Sequence, residues 1–180
     1  MRVVALTGIS GVGKSFAAKK LSLLTPITHL SASSVILKEK HIGNEISSAK
    51  EHLRLGNLDE NQQLLVAGMK RAVSGSYQTV LLDCHVVIHG KNGLQKLPAQ
   101  VFEHCKVEAF IFVQDTPEKI RDRREEDKEN RTRPLLSAEA LAEHQKVALD
   151  HCSAICFELK IPLLVLSHST IRHAVNFLGN

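Results

Sequence analysis

The chain has 180 residues, 43% of them hydrophobic and 23% charged, with a formal net charge of +4. That length suits one domain with a sheet between helical layers, and the balance is that of an ordinary globular protein. No apolar run approaches the roughly 18 residues of a membrane span, and with no Trp, one Tyr and six Phe a base-stacking surface for nucleic acid is poorly supplied.

In chain order, Val3-Val4-Ala5-Leu6-Thr7 reads as a short buried strand. A strand so close to the N-terminus leaves no room for a signal or transit peptide, and a cytoplasmic protein is expected. The strand runs into Gly8-Ile9-Ser10-Gly11-Val12-Gly13-Lys14-Ser15, which fits G-x-x-x-x-G-K-S/T, the phosphate-binding loop of P-loop nucleotide proteins. Phe16-Ala17-Ala18-Lys19-Lys20-Leu21 opens a helix over about 14–24. A strand at Ile27–Leu30 follows, and Ser31-Ala32-Ser33-Ser34 has the composition of a cap for a helix over Val35–Lys40. Two helical stretches, 45–54 and 59–73, are separated by Gly56-Asn57. Thr79–Asp83 is a buried strand ending in a carboxylate, 90–98 a loop, and Val107–Val113 another strand. Thr116-Pro117 starts a helix with Pro in its first turn, Ser137 caps a long helix to Leu159, Pro162–Leu166 is the last strand, and 170–178 the last helix. Strands alternating with helices predict a three-layer α/β P-loop NTPase fold, with a five-stranded parallel sheet and helices on both faces. No linker interrupts the pattern, so residues 1–180 are expected to form a single domain of this fold.

Four cysteines, Cys84, Cys105, Cys152 and Cys156, form no C-x-x-C pair. Cys152 and Cys156 stand one helical turn apart beside His151, which raises a metal site, but the same spacing is what a helix core face produces.

The glycines of the loop let the backbone wrap an anion, with successive N–H groups and the helix N-terminus aimed at phosphates. Gly8, Gly11, Val12, Gly13, Lys14, Ser15 and Phe16 are therefore the candidate ATP-binding set. Lys14 would bind β- and γ-phosphate oxygens and Ser15 would be a Mg²⁺ ligand. Asp83 falls at the carboxyl end of a strand, where such sheets bind ligands; it would support Mg²⁺ directly or through water. His85 points to the same face if the strand continues. Between Lys119 and Arg133, seven Lys/Arg are interleaved with five Asp/Glu, a mixed run and not a polybasic tract. Within it, Arg121, Arg124, Arg131 and Arg133 could carry phosphate contacts on a loop that closes over a transferring group, with Arg123 expected on another helix face. No N-K-x-D guanine motif is present, and the strand end Leu82-Asp83-Cys84 lacks the adjacent acidic pair usual in AAA-type ATPases.

Together, the loop, Leu82-Asp83-Cys84-His85, Asn130-Arg131-Thr132-Arg133 and Glu143-His144-Gln145 make the chain resemble the archaeal-type adenylate kinases over nearly its whole length. The resemblance implies a nucleoside monophosphate kinase using ATP and Mg²⁺, with AMP the first expectation for the acceptor. It implies that Arg54 grips the monophosphate's phosphate, and that Ser33, Ser34, Gln62 and His85 lie at the acceptor, within a segment of about 31–75. Lys14, Asp83, Arg124, Arg131 and Arg133 become the catalytic set, the last two in a lid of about 125–136. Relatives of this type can form trimers, so a homo-oligomer is one expectation. Asp-x-His is also shared with small nuclear adenylate kinase-like ATPases.

Departures keep other acceptors open. Ser10 stands where the family often has Pro, and Pro134 replaces a common acidic residue. Arg133-Pro134-Leu135-Leu136 resembles the lid of shikimate kinases, yet their Asp-x-Asp after the second strand and Gly triplet after the third are missing. An ATPase of the same fold, a small-metabolite kinase and a nucleotide-sensing interaction module are the alternatives.

Overall fold

The computed structural model describes residues 2–40, 53, 56–73, 79–90, 93–127 and 136–179. Arg54, Arg131, Arg133 and Pro134 lie outside them, as does the helix expected over 45–54 apart from Leu53.

Strand β1 (Val3–Thr7) contains no charge, and all five residues are buried. An unbroken apolar run of this kind belongs inside a parallel sheet covered on both faces. β1 takes that place, in the order β2–β3–β1–β6–β7. It pairs with β3 (Thr79–Asp83) and β6 (Val107–Val113), which in turn pair with the outer strands β2 (Ile27–Ser31) and β7 (Leu163–Leu166), and every pairing is parallel. Register puts both Leu6 and Ser31 opposite Asp83. The carboxyl ends of β1, β2 and β3 therefore meet at one edge.

Right-handed crossovers assign the layers. Helix α1 (Lys14–Ser22) carries the chain from β1 toward the β2 edge. The later connections run the other way across the sheet. They hold α2 (Ala32–Glu39), α3 (Leu58–Val73), α4 (Ala99–His104), α5 (Pro117–Glu126) and α6 (Ala138–Leu159). Accordingly α4 touches both α3 and α6, whereas α1 touches the short 3₁₀ turn Ile171–His173 that precedes α7 (Ala174–Gly179). The fold is the expected three-layer α/β architecture. Its core includes Leu6, Leu81, Ile111 and an edge-to-face pair, Phe102 and Phe110, with ring centroids 5.1 Å apart.

Helix α6 opens as predicted, with Ala140 N–H donating to Ser137 Oγ at 3.2 Å. Its buried residues, Leu141, His144, Ala148, Cys152, Ile155 and Cys156, recur every three or four positions, the stripe of a helix packed on a core. Cys152 and Cys156 are thus core residues, and His151 Nε2 donates to Leu97 O at 2.7 Å. Among the described residues no group of three or more His, Cys, Asp or Glu is placed to hold a metal. Nor is any helix among them long and apolar enough to cross a membrane.

Three local expectations are corrected. The stretch 90–98 is not a plain loop: β4 (Val87–Gly90) and β5 (Gly93–Lys96) form an antiparallel hairpin with Val87 opposite Lys96. Helix α2 begins at Ala32 with Ser31 as its cap residue, so Ser33 and Ser34 belong to its first turn and do not cap it. The C-terminal helix over 170–178 is instead the 3₁₀ turn followed by α7.

Candidate active site

The phosphate loop is held from outside by its carbonyls. Gly8 O accepts from Lys14 Nζ at 3.2 Å and from His85 Nδ1 at 3.0 Å. Ser10 O accepts two N–H bonds from Arg124, through Nε at 3.0 Å and Nη2 at 2.7 Å. Val12 O accepts from Arg123 Nη1 at 3.2 Å and His168 Nε2 at 2.6 Å. In a trans peptide the C=O of one residue and the N–H of the next point in opposite directions, and no cis bond occurs among the described residues. Fastening the carbonyls of residues 8, 10 and 12 therefore turns the N–H groups of Ile9, Gly11 and Gly13 away from those donors.

Two glycines are required by this packing as well as by conformation. Gly8 has φ +140°, and a Cβ there would run into the Val113 carbonyl at the end of β6. Gly13 has φ +95°, and its Cβ would lie 2.6 Å from the His168 ring. Gly13 then hands the chain to α1, whose first residue, Lys14, is buried.

Lys14 ends in a polar cluster at the strand edge. Its Nζ is 4.0 Å from Asp83 Oδ1 and 3.4 Å from His85 Nε2. The lysine stands almost equidistant from both ring nitrogens, at 3.5 Å from Nδ1, and because a carbonyl only accepts, His85 donates its Nδ1–H to Gly8 O. Strand β3 ends at Asp83, so His85 reaches the loop from the following turn and not from a continued strand. His29, which sequence reading passed over, brings Nε2 to 4.0 Å from Asp83 Oδ2. Ser15 and Phe16 are exposed in the first turn of α1, and the Phe16 ring lies 5.5 Å from that of His168.

The arginines divide. Arg124 is buried and its stem crosses Gly11. Arg121 is partly exposed and faces Asp122. Arg123 does not occupy an unrelated helix face: it reaches the loop and pairs with Asp115. Burial pushes the Asp115 carboxyl up, but the Arg123 hydrogen bond, the Thr116 N–H and the charges of Arg123 and Lys119 hold it below its ordinary value. Gln145 fixes the Asp115 backbone on both sides, accepting from its N–H at 3.2 Å and donating to its carbonyl at 3.0 Å.

On the acceptor side, Ser33 is half-buried with its Oγ 2.9 Å from Ser31 Oγ, Ser34 is exposed, and Gln62 is half-buried on α3. Because Ser31 pairs with Asp83 in register, α2 starts beside the Asp83 carboxylate. Sequence reading missed Asp115, Arg123 and His168. Only the Glu143-His144-Gln145 stretch gave a signal, by marking the helix that carries Gln145.

A glycine loop running from a central parallel strand into a helix, with lysine, carboxylate and imidazole at its base, defines a phosphate-loop phosphotransferase. The chain belongs to the family whose model, described as an AAA domain, matches residues 7–142. It keeps a single carboxylate at the end of β3, so this membership does not rest on an acidic pair. It is similar to the adenylate kinases of Thermoplasma acidophilum (26% identical over 143 residues, 79% of this chain and 76% of that one) and Methanopyrus kandleri (25% over 148 residues, 81% and 78%). The adenylate kinase of Pyrococcus horikoshii is 27% identical over 166 residues, 91% of this chain and 83% of the relative. Among solved structures, shikimate kinase from Acinetobacter baumannii in complex with shikimate superposes with a TM-score of 0.57 at 15% identity, covering 98% of this chain and 90% of that one. A sugar kinase from Janibacter gives 0.53 at 17% identity, covering 99% and 95%. These structural likenesses establish the fold. The chain is an adenylate kinase-like phosphate-loop kinase.

Proposed function

We propose that residues 1–180 form one kinase domain that transfers the γ-phosphoryl group of MgATP to a nucleoside monophosphate, AMP first. The observation that carries this is the meeting of Lys14, Asp83 and His85 beneath Gly8, next to the start of α2. The adenylate kinases among its relatives support AMP as the acceptor.

The loop amides and Lys14 bind the donor phosphates, and the exposed Phe16 ring with His168 offers a face beside them. The Ser15 hydroxyl and the Asp83 carboxylate are hard oxygen donors of the kind Mg²⁺ takes, and would hold it. When bound, the ion neutralises charge on the phosphate oxygens. Arg54 grips the acceptor phosphate, with Ser33, Ser34 and Gln62 lining the acceptor segment of about 31–75. Arg131 and Arg133, in a lid of about 125–136, close on the transferring group. Arg124 contributes its charge from its seat on Ser10. An acceptor that is already anionic needs no strong base, so positioning and electrostatic stabilisation carry the reaction.

A panel of nucleoside monophosphates, shikimate and gluconate with MgATP, scored by new phosphorylated product, tests this. AMP-dependent ADP formation is expected, and Lys14→Ala should abolish it. A second reading, ATP hydrolysis, is favoured by the imidazole of His85 beside Lys14 and Asp83. ADP release unchanged by every acceptor would select it.

A further inference from the structure

We infer that His168, in the turn after β7, is a positioning residue for donor binding: its Nε2–H fixes the Val12 carbonyl and so aims the Gly13 amide at the donor phosphates. The inference rests on the reading of Gly8–Ser15 as the ATP-binding loop. It adds a side chain from the far end of the sequence that no motif in the loop specifies.

The geometry has three parts. His168 Nε2 to Val12 O, at 2.6 Å, is the shorter of the two donor contacts on that oxygen, Arg123 Nη1 standing at 3.2 Å. The imidazole also fills the space a side chain at position 13 would need, with its Cε1 and Nε2 each 2.6 Å from the Cβ site of Gly13. Finally, the ring is backed by Phe16, tilted 57° with centroids 5.5 Å apart. His168 itself is seated by a tight turn in which Ser167 N–H donates to Thr170 Oγ1 at 3.0 Å and Thr170 N–H to Ser167 O at 3.1 Å.

A peptide plane rotates as a unit. A donor that pins the carbonyl of Val12 pins the N–H of Gly13 on the opposite edge of the same plane. Gly13, with φ +95° and no Cβ, has little of its own to resist rotation of that plane. Arg123 reaches the same oxygen through Nη1 at the longer distance of 3.2 Å, its Nη2 going to Asp115, so the shorter His168 contact is the closer constraint on that plane. Losing His168 therefore imposes on ATP binding the cost of ordering the loop, a conformational cost that a preformed site avoids.

Three substitutions separate the hydrogen bond from the packing. His168→Ala removes both, His168→Phe keeps a ring over Gly13 but has no donor, and His168→Gln keeps an N–H at the Nε2 position. ATP affinity is measured by titration calorimetry, KM and kcat in the AMP-dependent assay, and folding by thermal melting. Expected for both Ala and Phe is a Kd for ATP raised about three- to tenfold, the range of one net hydrogen bond. KM for ATP should rise by a larger factor than kcat falls, and Gln should recover most of the affinity. Wild-type affinity in folded His168→Phe, or a Gln variant as weak as Phe, would overturn the inference. Failure of the wild-type chain to bind ATP, or undiminished binding by Lys14→Ala, would overturn the underlying reading instead.

Discussion

At the scale of single residues, the charges around the loop do different work from what their spacing suggests. Arg124 gives Nε and Nη2 to the Ser10 carbonyl, so under the proposed mechanism the charge expected to close over the transferring phosphoryl comes chiefly from Arg131 and Arg133. Arg131→Ala should lower kcat by about 10³–10⁵, the cost of losing an arginine finger, while ATP affinity changes little. Pre-steady-state transfer rates beside equilibrium ATP binding check this, and equal losses in both would place Arg131 in ground-state binding. His144 is the other informative residue. It is buried, neither ring nitrogen has a hydrogen-bond partner among the described residues, and it stands edge-on to His89 with ring centroids 6.1 Å apart. Burial, then the nearby charges of Arg124 and His89, push its pKa down to about 4. The unfolded chain takes up a proton near pH 6.5, and the folded chain does not until about pH 4. The unfolded state therefore binds more protons in that window, so the stability from keeping His144 neutral is complete above about pH 6.5 and drains away as pH falls toward 4. Between about pH 7.5 and pH 5 the loss should be on the order of 2 kcal/mol. Urea unfolding of wild type and His144→Gln at both values isolates it: the variant should lose less, and parallel losses would refute the assignment.

At the scale of elements, α2 and α3 form a close pair. A Cβ on Gly68 of α3 would lie 2.5 Å from Val35 Cγ1 and 3.0 Å from Glu39 Cγ on α2. Lys40 to Glu60 at 3.3 Å and the Arg71–Glu39 ion pair tie the same two helices. Gly68→Ala sets two effects in competition: a gain of about 1 kcal/mol in helix propensity and an overpacking cost of about 1–3 kcal/mol. Val35 is stiff and buried, so overpacking should win by about 1 kcal/mol, a fall of about 2–4 °C in Tm. A rise in Tm would mean that α2 and α3 separate freely. The same scale shows what could be read in advance. The strands were legible because apolar runs such as Val3–Leu6 and Val80–Leu82 have one use in a parallel sheet. Hairpin β4–β5 escaped notice because Gly93-Leu94-Gln95-Lys96 has almost no apolar alternation, although Asn92-Gly93 is a hairpin dipeptide. Residues fixed by a motif, such as Lys14 and Asp83, could be placed from sequence alone. Residues such as His29 and His168 could not, since nothing local to them says which carbonyl or carboxylate the fold will bring near.

At the scale of the whole molecule, the phosphate loop fastens together distant parts of the chain. Its carbonyls take bonds from the turn after β3, from α5 and from the turn after β7. Those elements follow β3, β6 and β7, and β6 is the strand that joins β1 to β7 in the sheet. Ligand binding at the loop should therefore be felt across the fold and not only at the residues that touch phosphate. At a concentration of MgATP about 100 times its Kd, linkage stabilises the folded state by about 2.7 kcal/mol, a rise of about 5–10 °C in Tm for a chain of this size. The distribution of that stabilisation is the sharper expectation. Amide hydrogen exchange should slow at Gly11 and Gly13 and also at residues 115–124 and 167–170, whose side chains bracket the loop. AMP alone should protect α2 and α3 and leave 167–170 unchanged, because the bonds that seat residues 167–170 run to one another and to the Val12 carbonyl of the loop. If ATP slows exchange only between residues 8 and 16, the fastenings at Ser10 and Val12 carry no load, and the loop is a self-sufficient anion cradle.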